Sequence, residues 1–226
     1  MSITFNLDYT LPNAQSIAHD GAPNYCRVVL HATASTTAQS ALRWWASNAE
    51  RVGTPYVIDR DGTIYRAFDP AQRWAYHLGV GQHRVWWERT SIGIELVNVG
   101  PLRKRHNKLF WWPEDFTAPY IDGAAVETNP WNGFDLWQPY TNAQYEALSA
   151  LLAYIKTTFN INALKRPTNT HFGLATSDFE NPTPAPFTLL SHSNFNTVSS
   201  AHTGLAGSRP LCKNDVGPTF NWLRLE

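Results

Sequence analysis

Arg27-Val28-Val29-Leu30-His31 and Ser91-Ile92-Gly93-Ile94-Glu95-Leu96-Val97 are short aliphatic runs that each carry a titratable side chain at or near their end. Apolar, β-rich runs of this length, without polar alternation, read as strands buried on both faces, the kind that parallel sheets contain. A polar group at the end of such a strand costs free energy unless it is hydrogen-bonded or used. A third segment, His202-Thr203-Gly204-Leu205-Ala206-Gly207-Ser208-Arg209 followed by Lys213-Asn214-Asp215-Val216-Gly217-Pro218, brings another histidine, a lysine and an aspartate. Packing alone does not account for three such segments.

Working outward, residues 1–24 read as an irregular lead-in, 25–31 as a strand, and 36–50 as a helix with its N-cap at Ser35 or Thr36. Tyr56–Asp59 and Thr63–Arg66 flank Arg60-Asp61-Gly62, and Asp-Gly between apolar runs signals a hairpin. Asn142 to Phe159 is the clearest helix, with Tyr145, Leu148, Leu151, Leu152 and Ile155 on one stripe and Thr141 as N-cap. Residues 100–140 and 166–197 read as two irregular insertions, 198–202 as a short strand, and 218–226 as a terminal turn. No repeat and no linker divides the chain. The expected architecture is α/β: one domain over residues 1–226, with a mixed central β-sheet flanked by helices, a metal site at strand ends, and long insertions around a cleft.

The chain has 226 residues, 43% hydrophobic and 16% charged, which is enough to bury a substantial core. A formal net charge of zero argues against nucleic acid held through its phosphates, and Arg103-Lys104-Arg105 reads as a solvated loop. No stretch reaches the roughly 18 apolar residues of a membrane span. The N-terminus lacks the basic and apolar regions of a Sec-type signal peptide, so synthesis in the cytoplasm is expected, with the protein staying there or leaving by another route. Two cysteines, Cys26 and Cys212, make no disulfide framework. A monomer is expected.

Catalytic zinc takes three protein ligands and keeps one position for water. His31, His202 and Asp215 would supply two nitrogens and a carboxylate oxygen, although spacing alone is weak evidence when ligands come from distant segments. Glu95 is the candidate base. Its position after Ile92-Gly93-Ile94 implies poor solvation, which would raise its pKa.

Five segments then occur in order: Val29-Leu30-His31-Ala32-Thr33-Ala34 with its strand, Tyr56 to Tyr65 around Asp61-Gly62, Trp74-Ala75-Tyr76-His77-Leu78-Gly79, Ser91 to Asn98, and Lys213 to Pro218. Together they resemble the zinc-dependent N-acetylmuramoyl-L-alanine amidases, a family that includes AmpD, the phage amidase lysozymes and the peptidoglycan recognition proteins. The resemblance runs over about residues 25–98 and 142–222 and leaves out both insertions. It implies Zn2+ held by His31, His202 and Asp215, with Glu95 as general base and Lys213 as oxyanion partner. The substrate implied is peptidoglycan or a muropeptide, cut between N-acetylmuramic acid and L-alanine. His202 to Arg209 is similar to the family's His-Ser-Asp-Ile-Ala-Pro-Gly-Arg, and Lys213 to Pro218 to its Lys-Thr-Asp-Pro-Gly-Pro. Three extra residues lie between Arg209 and Lys213, so Cys212 stands as a rival third ligand. His171, in His171-Phe172-Gly173-Leu174-Ala175, stands as a rival to His202. The tyrosine used by some members falls on Thr54, so the glutamate version of the mechanism is the one that transfers.

His77 is expected near substrate in the cleft. Of the ten tryptophans, most of Trp44, Trp45, Trp74 and Trp222 read as core. Trp111, Trp112, Trp131 and Trp137 read as core beneath the insertion or as a cleft wall for sugar rings, with Trp111 and Trp112 as substrate-binding candidates. Trp86-Trp87 are placed at the groove edge. An inactive peptidoglycan-recognition module and an amidase confined to soluble muropeptides are the alternative functions. Phage endolysin, interbacterial effector and recycling enzyme are all compatible settings.

Overall fold

The protein is described here by a computed structural model, which places residues 3–79, 84–111, 119–123, 125–161, 163–167, 187–195 and 215–225. In chain order the strands are β1 (Ile17–Ala18), β2 (Arg27–Ala32), β3 (Tyr56–Ile58), β4 (Ile64–Arg66), β5 (Arg73–Trp74), β6 (Ser91–Leu96), β7 (Pro101–Arg105), β8 (Lys108–Trp111), β9 (Val126–Trp131), β10 (Phe134–Trp137) and β11 (Leu189–Ser191). The helices are α1 (Ala38–Ser47), α2 (Arg84–Thr90) and α3 (Asn142–Thr158). Short 3-10 turns cover Asn13–Gln15, His192–Phe195 and Trp222–Leu225.

The central sheet has the order β11-β2-β6-β3-β4. All neighbours are parallel except β3 and β4, which form the antiparallel Asp-Gly hairpin expected from sequence. Gly62 turns that hairpin at φ +87°, and a Cβ there would meet the Ala143 carbonyl oxygen at 2.9 Å, so the position suits glycine alone.

Because side chains alternate along a strand, each central strand feeds two layers. Val28 and Leu30 of β2, Ile92 and Ile94 of β6, and Tyr56 and Ile58 of β3 face α3 and pack with Tyr145, Leu148, Leu151, Leu152 and Ile155. α3 begins with a full capping box, Thr141 accepting from the Gln144 amide and Gln144 reaching back to Thr141. On the opposite face, Val57 and Val97 meet Ala38, Ala41, Leu42 and Trp45 of α1, and Val29 meets Leu78, Trp87, Leu190 and Phe195. His31 and Glu95 share that second face by parity. α1 is capped by Thr37 rather than by Ser35 or Thr36, and the Asp59 carboxylate accepts from the Ala38 amide.

The first insertion is not irregular. It folds into an antiparallel sheet of order β8-β7-β10-β9 around Val99, Leu102 and Tyr120, with Leu109, Trp111 and Leu136 against them. Its hairpins turn at His106-Asn107 and Asn132-Gly133, where all four residues have positive φ, the turn chemistry that suits a tight hairpin. The second insertion also contains regular structure, since β11 pairs with β2. The 198–202 strand lies outside the described residues. Among them, no helix is long and apolar enough to cross a membrane.

Three of the four tryptophans assigned to the core are there: Trp45, Trp74 and Trp222. Trp44 is instead 57% exposed, because its side of α1 faces away from the sheet. Trp87 is buried, while Trp86 borders a surface depression of about 480 Å³ together with His19, Asn24 and Arg89. Their rings, at 89° to each other, both contact the buried Arg27 guanidinium, at 4.6 and 4.0 Å, and burial lowers the pKa of that arginine to about 10. Leu148 is fully buried at the centre of the α3 layer. Leu148→Ala is expected to lower unfolding free energy by about 2–5 kcal/mol, measured by urea denaturation. A loss well below that range would contradict the packing described.

Candidate metal centre

Parallel pairing sets His31 directly beside Glu95 on adjoining strands. On the other side of β2, the β11 register Ser191↔Leu30 carries the next residue, His192, to the level of His31. Asp215 enters from the C-terminal segment, its carbonyl accepting from the Ser193 amide. Tyr140 steadies the following residue by donating to the Val216 carbonyl at 2.7 Å.

Three electron-rich atoms converge here. His31 Nδ1 lies 3.0 Å from His192 Nδ1, and Asp215 Oδ2 lies 3.2 Å from His192 Nδ1 and 3.6 Å from His31 Nδ1. One ligand atom from each of the three residues lies within 4.8 Å of the others.

The partners behind the histidines decide whether these atoms suit a cation. His192 Nε2 is 2.8 Å from the Leu78 carbonyl. A carbonyl only accepts, so Nε2 carries the hydrogen and the neutral ring presents a bare Nδ1. The same logic runs through His31. The Ser91 hydroxyl donates to the Trp87 carbonyl at 2.5 Å and therefore accepts from His77 Nε2 at 3.0 Å. His77 Nδ1 then accepts from His31 Nε2 at 2.9 Å, leaving His31 Nδ1 bare as well. Burial, reinforced by the neighbouring His31 and His192, pushes the His77 pKa well below its ordinary value, so that ring stays neutral and can play both roles. Burial alone would raise the Asp215 carboxyl, but hydrogen bonding and positive charge at the His192 and His31 Nδ1 positions outweigh it and hold the group below the usual carboxylate range; with both Nδ1 atoms bare, a bound cation would supply that charge in place of the ring protons. Two bare imidazole nitrogens and a carboxylate aimed at one point are the donor set of a tetrahedral nitrogen–oxygen metal site with a free position.

The site opens into a cleft of about 840 Å³, lined among others by Glu95, His77, Ser40, Trp44 and Trp111. Glu95 is partly exposed there, close to the three converging groups through its pairing with His31. His77 is 9% exposed and stands behind His31 with both ring nitrogens engaged, which suits orientation of a ligand better than contact with substrate. Trp111 lines the cleft. Trp112, Lys213, Cys212, His171 and His202 all lie outside the described residues.

The residue that sequence reasoning missed is His192. Among the described residues it is the second histidine of the cluster, while His202 lies outside them and its expected role as a ligand is not tested. A signal was present: His192-Ser193-Asn194 is closer to His-Ser-Asp than His202-Thr203-Gly204 is, and Leu189-Leu190 before it is one more apolar run ending near a histidine. The run is short and sits in a Pro-, Ser- and Asn-rich stretch, so its strand character shows only through pairing with β2.

The family described as N-acetylmuramoyl-L-alanine amidase matches residues 22–198. This span contains His31, Glu95 and His192 and stops before Asp215. No curated protein sequence matches the chain. Among solved structures, an AmpD derivative aligns with 99% of this chain and 97% of its own at 19% identity and a TM-score of 0.49. AmiD from E. coli, solved with anhydro-N-acetylmuramic acid-L-Ala-D-γ-Glu-L-Lys, aligns with 92% of this chain at 21% identity and a TM-score of 0.49. AmpDh3 from Pseudomonas aeruginosa aligns with all of this chain at 17% identity and the same score. The chain spans 58% of AmiD and 65% of AmpDh3.

His192→Ala is expected to abolish stoichiometric zinc binding, whereas His202→Ala retains it, as read by elemental analysis after dialysis. The reverse pattern would restore His202 as the ligand.

Proposed function

The chain belongs to the N-acetylmuramoyl-L-alanine amidase family, and on that premise we propose that it is a zinc-dependent peptidoglycan hydrolase cutting the amide between N-acetylmuramic acid and L-alanine. The observation that carries the reading is the convergence of His31 Nδ1, His192 Nδ1 and Asp215 Oδ2 in a cleft that also holds Glu95. These three residues would hold the metal. The chemistry that zinc supplies when bound is Lewis acidity, both toward the scissile carbonyl and toward the attacking water.

Amide hydrolysis still needs a base for the water and a proton for the leaving nitrogen. The position of Glu95 beside His31 and open to the cleft supports this residue for both. Its carboxylate takes the water's proton and returns it to the alanine nitrogen as the C–N bond breaks. Lys213 is retained as the oxyanion partner. It stands two residues before Asp215 in the chain. Trp111 and the exposed Trp44 offer aromatic faces along the cleft, and Ser35, Thr36 and Ser40 offer hydroxyls, a combination that suits a sugar-bearing substrate with both ring faces and polar edges. Trp112, from the same insertion, is retained as a substrate contact.

Glu95→Gln is expected to keep its zinc while turnover of purified sacculi falls by roughly 10²- to 10⁴-fold, followed by mass spectrometry of the peptides released with free L-alanine N-termini. Wild-type turnover in a zinc-loaded Glu95→Gln protein would rule out the role given to this carboxylate. Chelation is expected to abolish release, and added Zn2+ to restore it.

A further inference from the structure

Both candidate ligand histidines are braced from behind by the same three residues. The His77 ring meets His31 at 2.9 Å, and the next carbonyl, that of Leu78, accepts from His192 at 2.8 Å. The backbone of this tripeptide is in turn clasped by one carboxylate. Glu88 Oε2 accepts from the His77 amide at 2.7 Å and from the Leu78 amide at 3.1 Å, and Oε1 accepts from the Leu78 and Gly79 amides at 3.1 and 3.2 Å. Glu88 is 1% exposed, and it is not among the residues that line the cleft. It therefore has no route to substrate.

We propose that Glu88 is a positioning residue for the metal centre: it fixes residues 77–79 so that the outer nitrogens of His31 and His192 are held together and both Nδ1 atoms point at one cation. The inference rests on the metal-binding reading above.

Three further features fit this role. A buried carboxylate is costly unless hydrogen-bonded, and here it faces three backbone donors, which an acceptor-only group matches. α2, which carries Glu88, also carries the Trp87 carbonyl that ends the His31–His77–Ser91 donor chain, so one helix fixes the orientation of both ligands. β6 leaves room for the brace at Gly93. A Cβ there would stand 2.5 Å from Thr54 Cγ2 and 3.1 Å from His77 Nδ1, forcing the His77 ring away from His31. Partners behind metal-bound histidines typically set metal affinity by 10–100-fold.

The test compares zinc affinity, by competition with a chromophoric chelator, in wild type, Glu88→Gln, Glu88→Asp and the remote core variant Leu151→Ala. Glu88→Gln turns an NH2 group toward backbone amides, and Glu88→Asp is a methylene too short to span all three. Each is expected to bind zinc about 10–100-fold more weakly, with an altered visible spectrum of the cobalt-substituted protein. Leu151→Ala is expected to lose thermal stability and keep its zinc affinity. Wild-type affinity in a folded Glu88 variant, or a loss no larger than that of Leu151→Ala, overturns the proposal. Failure of both Glu88 variants to fold also overturns it, because a folding role then accounts for the residue. A wild-type protein that binds no zinc overturns the metal reading itself, a result distinguishable from the others.

Discussion

The parallel pairing of β2 with β6 is the constraint on which the rest of the molecule depends. Its register sets His31 opposite Glu95. Adjacent strands lie about 4.8 Å apart, so the His31 imidazole and the Glu95 carboxylate are neighbours before any loop is placed. A one-residue slip would move both side chains to the opposite face of the sheet, into the layer filled by α3. The register is held by that layer: Val28, Leu30, Ile92 and Ile94 are buried against α3, and the apolar side cannot be exchanged for the site side without burying an imidazole and a carboxylate among leucines.

Given that register, the site is assembled by what lies behind the strands. The two histidines supply useful nitrogens only if their other nitrogens are committed elsewhere, and the structure commits them to backbone carbonyls, directly for His192 and through His77 and Ser91 for His31. Carbonyls cannot donate, so the direction of every hydrogen bond back to the metal centre is decided at these ends. The site is thus set up by groups with no chemistry of their own, on a loop and a short helix that neither periodicity nor composition marks as functional.

The strands of the central sheet that carry His31 and Glu95, the Asp-Gly hairpin and the capped helix α3 were legible because each is a local pattern: an apolar run, a turn dipeptide, a 3.6-residue stripe. The insertion sheet was legible in part. Asn132-Gly133 is a hairpin signal that the reading of 100–140 as irregular left out, and its flanking strands alternate poorly, with Glu127, Asn129 and Pro130 exposed. The place of Trp86 and Trp87 before the Glu95 strand suggests a groove edge, and Trp86 does border a depression. Nothing in the sequence shows that their partner is Arg27, which lies across the fold.

By itself the sequence determined the fold class, the strand that carries His31, the strand that carries Glu95 and the place of Asp215 beside Gly217-Pro218. Each of these follows from residues close together in the chain, where hydrophobic periodicity and turn chemistry act. Tertiary structure alone decided that His192 stands beside His31, that His77 orients a ligand, and that Glu88 clasps the loop between them. His192 reaches its place through strand pairing with a segment 161 residues away. The physical reason is that long-range register and hydrogen-bond direction depend on which surfaces meet when the core closes.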